Sequence, residues 1–566
     1  MKPIFKNAFL KTRRLLPLMM AVASLAATAH AAAPGITGPI FNLTAAPSYL
    51  TQPDGQAIYS WGYGCNGAPT GYAPAGISGS FCNSMQVPGP TLIVKEGDTV
   101  TVTLTNNLPA AAGNTSILFP GFQVCAGTLS GSTCTPAGGV SGLVTQEAAA
   151  NGGTVTYQFK ATTPGTHAYY SGTQSDLQIE MGLFGALIVL PANTPAVCGA
   201  VATSGSGPGS GGLPILNGVA SGNNVAAQAY WGENDYRLAA AAYNNTKTCY
   251  DREYLFQFSE MDPAIHDQAL AQVQQCSAAN APVPCSLHVP TEPYRPAYFM
   301  INGRSMPDDM DSNYAVEYPH QPYNGNPHMH PGEMVLLRII GQGRWQHPFH
   351  EHANHVRILA RDGNLILAPD GTSLAGPALF TTTTTPGLAM DGIFYYTGRG
   401  LNWDMYGHNP GSVDLNAKLT CTPDSEGYNT GAPTAINYFE WCQDHNKPLQ
   451  TAPFGDVASG GPVTLPDPNI LVNGAWFGGS PYLGPDATTR ATFGNCTGAN
   501  KTTSCGGTGT TPPSGTIANS PTGEAGFAFM WHSHNEREIT TNNAFPGGMM
   551  MMMLIDSREF AIDESK

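Results

Sequence analysis

Two short motifs hold the residues with the most chemistry to offer. His350 and His352 lie in QHPFHEH, a run that His347 opens, and His532 and His534 lie in FMWHSHNE near the C-terminus. On an extended strand, residues i and i+2 point to the same side, about 6.6 Å apart along the chain. Two such pairs brought together offer four imidazole nitrogens to one or two ions, and imidazole suits copper. Glu351, Glu536 and Glu538 stand in the same segments and could add oxygen ligands or orient a ring, which would also admit zinc, iron or manganese; for Glu536 a solvated surface charge is the simpler reading.

His328-Met329-His330 is a third pair, but the strand-like run Met334 to Gly341 separates it from the HPFHEH motif. Eight extended residues span roughly 26 Å, so this pair is expected at the far end of the sandwich, as a second metal site or in a surface or structural role. His320 and His355 could orient groups near one site or the other, or be ordinary surface histidines.

Strands must position these pairs, and the chain supplies them throughout. From about Pro39 to Pro191, short apolar runs alternate with turns, as in TLIVKEGDTVTVTLTNNL, TVTYQFKATTPGTHAYY and MGLFGALIVLP. Val100, Val102 and Leu104 repeat with a period of two, which predicts a half-buried sheet. Only 11% of residues are charged, Gly and Pro are frequent, and long amphipathic helical patterns are nearly absent. The expectation is an all-β chain of packed sandwich domains.

The expected organisation is an export signal over residues 1–31, a first domain over 38–195, and a Gly/Ser/Pro linker over 196–222. The first part of a second domain covers 223–400. Residues 401–520 read as a loop-rich insertion or a degenerate third domain, and 521–566 as closing strands that carry His532 and His534. The export signal rests on a basic start, an apolar run from Leu15 to Ala27 and the small-residue pattern Ala29-His30-Ala31, with Arg13-Arg14 fitting a loose twin-arginine pattern. A periplasmic or secreted protein is implied. No later apolar run reaches the roughly 18 residues of a membrane span.

All twelve cysteines lie beyond that signal. Close spacings predict disulfides Cys65–Cys82, Cys125–Cys134, Cys276–Cys285 and Cys496–Cys505, with Cys198–Cys249 and Cys421–Cys442 completing the set. None sits beside a histidine in a copper-ligand context. The formal charge of -15 argues against a nucleic-acid partner and is compatible with cationic substrates or simple solubility. An oligomer is compatible with the sequence.

The chain resembles the multicopper oxidases, the cupredoxin-domain family that includes the laccases. PGPTLIVKEGDTVTVTLTNNLP and GLFGALIVLP look like the family's first domain, YFMINGRSMPDD like the start of a later one, and HPFHEH and WHSHNE like its two C-terminal ligand motifs. The resemblance implies tandem cupredoxin-like Greek-key sandwiches. It also implies a three-copper cluster held by eight histidines, which reduces dioxygen, and a separate electron-transfer copper held by a cysteine, two histidines and often a methionine.

Carried over residue by residue, that pattern is incomplete. Where the first domain should read HWHG and YHSH, the sequence gives Leu118-Phe119-Pro120-Gly121 and Tyr169-Tyr170-Ser171-Gly172, and the domain's only histidine is His167. The last-domain cluster ligands carry over as His350, His352, His532 and His534. The electron-transfer position keeps His347, but its cysteine is Ser533 and its second histidine falls near Glu538. A serine hydroxyl has none of thiolate's affinity for copper, so no blue centre is expected.

Tyr169 and Tyr170, with Leu118 and Phe119, are expected to fill space where the family has imidazoles, and Met549 to Met553 to pack a core strand, with thioether donation to copper the other reading. The functional expectation is an exported copper protein with fewer than the usual four ions. It would act as an oxidoreductase on a metal ion or phenolic substrate with dioxygen as acceptor. The alternative is a non-catalytic copper-binding or structural relative.

Overall fold

The computed structural model describes residues 33–198 apart from 76 and 78, residues 228–396 and 526–556, and isolated positions between 423 and 482 and after 556. The export segment, most of the linker and most of 401–520 lie outside the described residues.

Alternating side chains build the first sandwich. Along Thr99–Asn106 and Thr154–Lys160 every second residue is buried, so the period of two read from Val100, Val102 and Leu104 is realised as a sheet with one face in the core. These strands lie with Ile40–Thr51 and Ala57–Cys65 in a four-stranded sheet. Its partner sheet runs in the order Gly165–Tyr170, Phe184–Leu190, Leu92–Lys95, Gly35–Thr37, Tyr72–Ala73. Phe41, Val102, Tyr157 and Phe159 from one sheet meet Leu92, Val94, Leu187 and Val189 from the other.

A second sandwich follows the same logic. One sheet runs Tyr298–Ile301, Arg252–Met261, Met334–Gly341, Ala389–Tyr395, Val356–Arg361, Asn364–Leu365, with Ala378–Leu379 also paired to Val356–Arg361. The facing sheet runs His328–Met329, Met550–Asp556, Gly526–Ser533, His347–Glu351, Thr381–Thr384, and Gly479–Tyr482 pairs with Gly526–Phe529. Phe256, Phe258, Leu337 and Ile339 pack against Phe349, Trp531, Met551 and Met553 between the two. Met549, Met551 and Met553 are therefore core, each contributing about 1.5–3 kcal/mol over an exposed side chain, while Met550 and Met552 turn to the other face of the sheet, Met550 opposite His532.

The first sandwich docks on the sheet that holds Met334–Gly341. Ile93, Ala168, Ala186 and Ile188 pack against Leu255, Ile340 and Ala389, and the Thr166 hydroxyl donates to Asp391 at 2.6 Å. The helix Pro263–Cys276, capped by Asp262, which accepts from the Ala264 N–H, inserts Ile265 and Ala269 into the first core. Disulfides Cys65–Cys82, Cys125–Cys134, Cys198–Cys249 and Cys276–Cys285 form as expected. The remaining four cysteines lie outside the described residues. Among the described residues no helix is long and apolar enough to cross a membrane.

Candidate metal centre

The two C-terminal motifs are neighbours in one sheet. His347–Glu351 pairs antiparallel with Gly526–Ser533 in a register that sets His350 opposite His532, Phe349 opposite Ser533 and Glu351 opposite Trp531. Strand alternation then sorts the side chains. Phe349 and Trp531 enter the core, which puts the histidines of both pairs on the other face of the sheet. The Trp531 indole donates to the His352 carbonyl at 3.0 Å, and the His534 N–H donates to the Pro348 carbonyl at 2.8 Å, pinning the ends of both motifs.

The four rings gather. His350 lies 4.8 Å from His352, 4.7 Å from His534 and 5.6 Å from His532 between ring centroids, and His352 lies 5.2 Å from His532. His350, His352 and His532 are buried, while His534 is exposed and opens the group to solvent. The Nε2 atoms of His352 and His532 are 3.1 Å apart. His532 Nδ1 donates to the Ser533 carbonyl at 2.7 Å, which leaves its Nε2 as the acceptor of that contact. Burial, with His534 and His532 nearby, pushes His350 down to about 4, and burial also lowers His532. Both are held in the neutral form that binds metal.

Within this arrangement one pair has the spacing of two ligands on a transition-metal ion. At ligand distances of 2.0–2.1 Å, two nitrogens on one ion lie roughly 2.9–3.4 Å apart for angles between square and tetrahedral. The His352–His532 contact already has that spacing.

His347 does not join the four. It lies on the core side of its strand with both ring nitrogens engaged, Nδ1 donating to Glu538 Oε2 and Nε2 to Glu260 Oε2, each at 2.9 Å. Burial opposes charge here, but the hydrogen bonds to Glu260 and Glu538 and the attraction of both carboxylates outweigh it and raise His347 to about 9. The Ser533 hydroxyl donates to the same Glu538 oxygen. The three positions matching the family's electron-transfer copper, His347, Ser533 and Glu538, thus meet, and an imidazolium between carboxylates holds them together. With both His347 nitrogens occupied and a hydroxyl in place of a thiolate, this set does not fit a copper ion.

Glu351 is also turned into the core. Burial, against a hydrogen bond from Thr382 at 2.9 Å, raises its carboxyl to about 8, so it is neutral and is not aimed at the histidine face. Glu536 is exposed. Sequence reasoning missed Glu260, which lies 87 residues before His347, and the threonine strand Thr381–Thr384. The run of five threonines was the available sign of the latter: a β-branched strand with hydroxyls on both faces.

The third pair lies at the other end of the same sheet. His532 is opposite Met550, and six residues further along that strand, roughly 20 Å, Asp556 accepts from His328 Nδ1 at 2.6 Å. His330 pairs with Glu233, and Glu233, His330 and Glu333 form a buried triad of metal-ligand types. Arg252 bridges both carboxylates of that triad, so a guanidinium already meets one of their two negative charges. His320 joins the two sandwiches, accepting or donating at Ser48 (2.8 Å) and donating to the Met85 carbonyl (2.8 Å). His355 is exposed, with its ring 5.0 Å from Phe380.

In the first sandwich, the two segments that lack the family's histidines lie side by side, Leu118 bridging to Tyr170. Tyr169 is fully buried, donates to the Pro90 carbonyl at 2.8 Å and packs on Phe119 and Tyr63. Aromatic packing fills this region, as expected.

The chain also has recognisable relatives. The multicopper oxidase family model matches residues 78–194. A laccase of Aspergillus fumigatus, abr2, is 37% identical over 122 residues, which are 21% of this chain and 18% of that laccase. The chain therefore spans less than a fifth of that relative. Among solved structures, a blue copper oxidase from Nitrosomonas europaea is similar at 15% identity and a TM-score of 0.40, over 91% of this chain and 85% of that one. A laccase from Botrytis aclada is similar at 19% identity and a TM-score of 0.34, over 64% and 47%. The family match falls on the first sandwich, whose residues 78–194 are similar to the multicopper oxidases.

Proposed function

We propose that this chain is an exported copper protein that holds copper between its two C-terminal histidine pairs and acts as an oxidoreductase on a metal ion or a phenolic compound, with dioxygen as acceptor. The observation that carries the reading is the 3.1 Å contact between His352 and His532 inside a group of four histidines. His350, His352, His532 and His534 would hold the metal. Copper bound there would supply one-electron redox chemistry.

The protein's own residues set the conditions. The sheet fixes the rings in register, burial keeps His350 and His532 neutral, and exposed His534 leaves a side open to a small substrate. Electrons would have to come from a substrate near the four histidines, since His347, Ser533 and Glu538 are bound to one another. That same closure, with the tyrosine-filled first domain, favours a second reading: a copper-binding protein without turnover. The basic, then apolar N-terminus of the sequence supports export.

Metal content per chain after copper loading, optical and spin-resonance spectra and oxygen uptake test both readings. One or two coppers without an intense blue band, with reductant-dependent oxygen uptake, supports the oxidoreductase. The same metal content without uptake supports the binding protein. An intense blue band, or no copper retained, overturns the site assignment.

A further inference from the structure

The strand Thr381–Thr384 lies along His347–Glu351 on the side away from Gly526–Ser533, with Thr381 opposite His350 and Thr384 opposite His347. Its hydroxyls serve the motif residue by residue. Thr381 Oγ1 lies 2.6 Å from His350 Nδ1, Thr382 Oγ1 donates to Glu351 at 2.9 Å on the core side, and Thr384 Oγ1 accepts from the His347 N–H at 3.2 Å. His350 is thus flanked across the sheet by Thr381 on one strand and His532 on the other.

We infer that Thr381 is a positioning residue for the candidate metal centre: its hydroxyl takes the Nδ1 proton of His350, fixing the ring and making Nε2 the donor atom toward the other three histidines. The inference rests on the four-histidine reading above. A neutral imidazole carries one N–H, and the nitrogen that bears it is set by the better acceptor within reach. The contact at Nδ1 is short, and a β-branched residue on a paired strand has few rotamers, so the hydroxyl is held where the ring needs it. The same division of labour holds at His532, where the Ser533 carbonyl accepts from Nδ1 and Nε2 faces His352. Both central rings then present Nε2. Hydrogen-bond partners of this kind commonly account for about 10- to 100-fold in metal affinity.

The test compares Thr381→Val, which keeps the β-branched shape and removes the hydroxyl, with Thr381→Ser, which keeps the hydroxyl. Thr382→Val, whose hydroxyl serves the core side, is the control. Nitrogen-15 spectra of the histidine rings, taken on metal-free protein, should show His350 protonated at Nδ1 in the wild type and in T381S, and a mixture of tautomers in T381V. Cu(II) affinity, measured by chelator competition, should fall about tenfold or more in T381V and stay at the wild-type value in T381S and T382V. The remote-nitrogen couplings in pulsed spin resonance should change in T381V alone. A folded T381V with wild-type tautomer and affinity overturns the inference while leaving the four-histidine site intact. Wild-type protein that binds no copper, or binds it unchanged after replacement of His352 and His532, overturns the underlying reading instead.

Discussion

The imidazolium of His347 is a measurable consequence of the way this chain fills the position its relatives give to a copper. A rise from 6.5 to about 9 favours the charged form by about 3 kcal/mol. Because the folded value lies above the unfolded one, this stabilisation is fully present below pH 6.5. It declines as pH rises and is lost once pH passes about 9. At pH 7.5 about 2 kcal/mol of it should remain. The perturbation is Glu260→Gln, which removes one carboxylate but leaves Glu538 and Ser533 in place. The assay is twofold: ring nitrogen-15 titration of His347, and urea unfolding at pH 6, 7.5 and 9.5. In the wild type the ring should titrate near 9. In E260Q it should titrate lower, and the loss of stability between pH 6 and 9.5 should shrink by about 1–2 kcal/mol. A wild-type ring that titrates at or below 6.5 would refute the reasoning, because it would mean that desolvation outweighs the two carboxylates.

Three further outcomes follow from the same packing. Replacing His352 and His532 together by Ala should abolish copper retention with the fold intact by circular dichroism, and unchanged metal content would remove both from the site. Glu351→Gln should stabilise the protein at pH 8, where a carboxyl with a folded value of about 8 against 4.5 unfolded costs up to about 5 kcal/mol, less about 1–3 kcal/mol for an amide N–H left unpaired; at pH 4 the gain should vanish. Chemical denaturation at the two pH values decides it, and an equal effect at both would count against a neutral Glu351. Met551→Ala should cost about 2–5 kcal/mol without changing copper binding, since Met551 is fully buried between the sheets; a cost under about 1 kcal/mol would argue that it donates to metal or solvent rather than packing.

Much of the fold was legible because strand alternation is written locally. Val100, Val102 and Leu104 announced their own buried face, and Cys125 and Cys134 needed only their short separation. The candidate site was half legible. An HxH spacing states that two rings share a face, but not which strand lies beside it, and the placement of His350 against His532 is a register 182 residues apart in sequence. His347 shows the limit: one residue of register separates a ring aimed at the histidine face from one enclosed by Glu260 and Glu538.

The sequence by itself determined the donor inventory: two C-terminal histidine pairs, a serine in place of a cysteine, and a first domain with His167 as its only histidine. These are matters of residue type, which no packing can alter. Only the tertiary structure decided which donors converge, that His347, Ser533 and Glu538 bond to one another, that Arg252 bridges Glu233 and Glu333, and that Thr381 stands against His350. Each of those depends on strands distant in the chain coming to lie side by side, because hydrogen bonds and metal ligation act over a few ångströms in space and take no account of separation along the backbone.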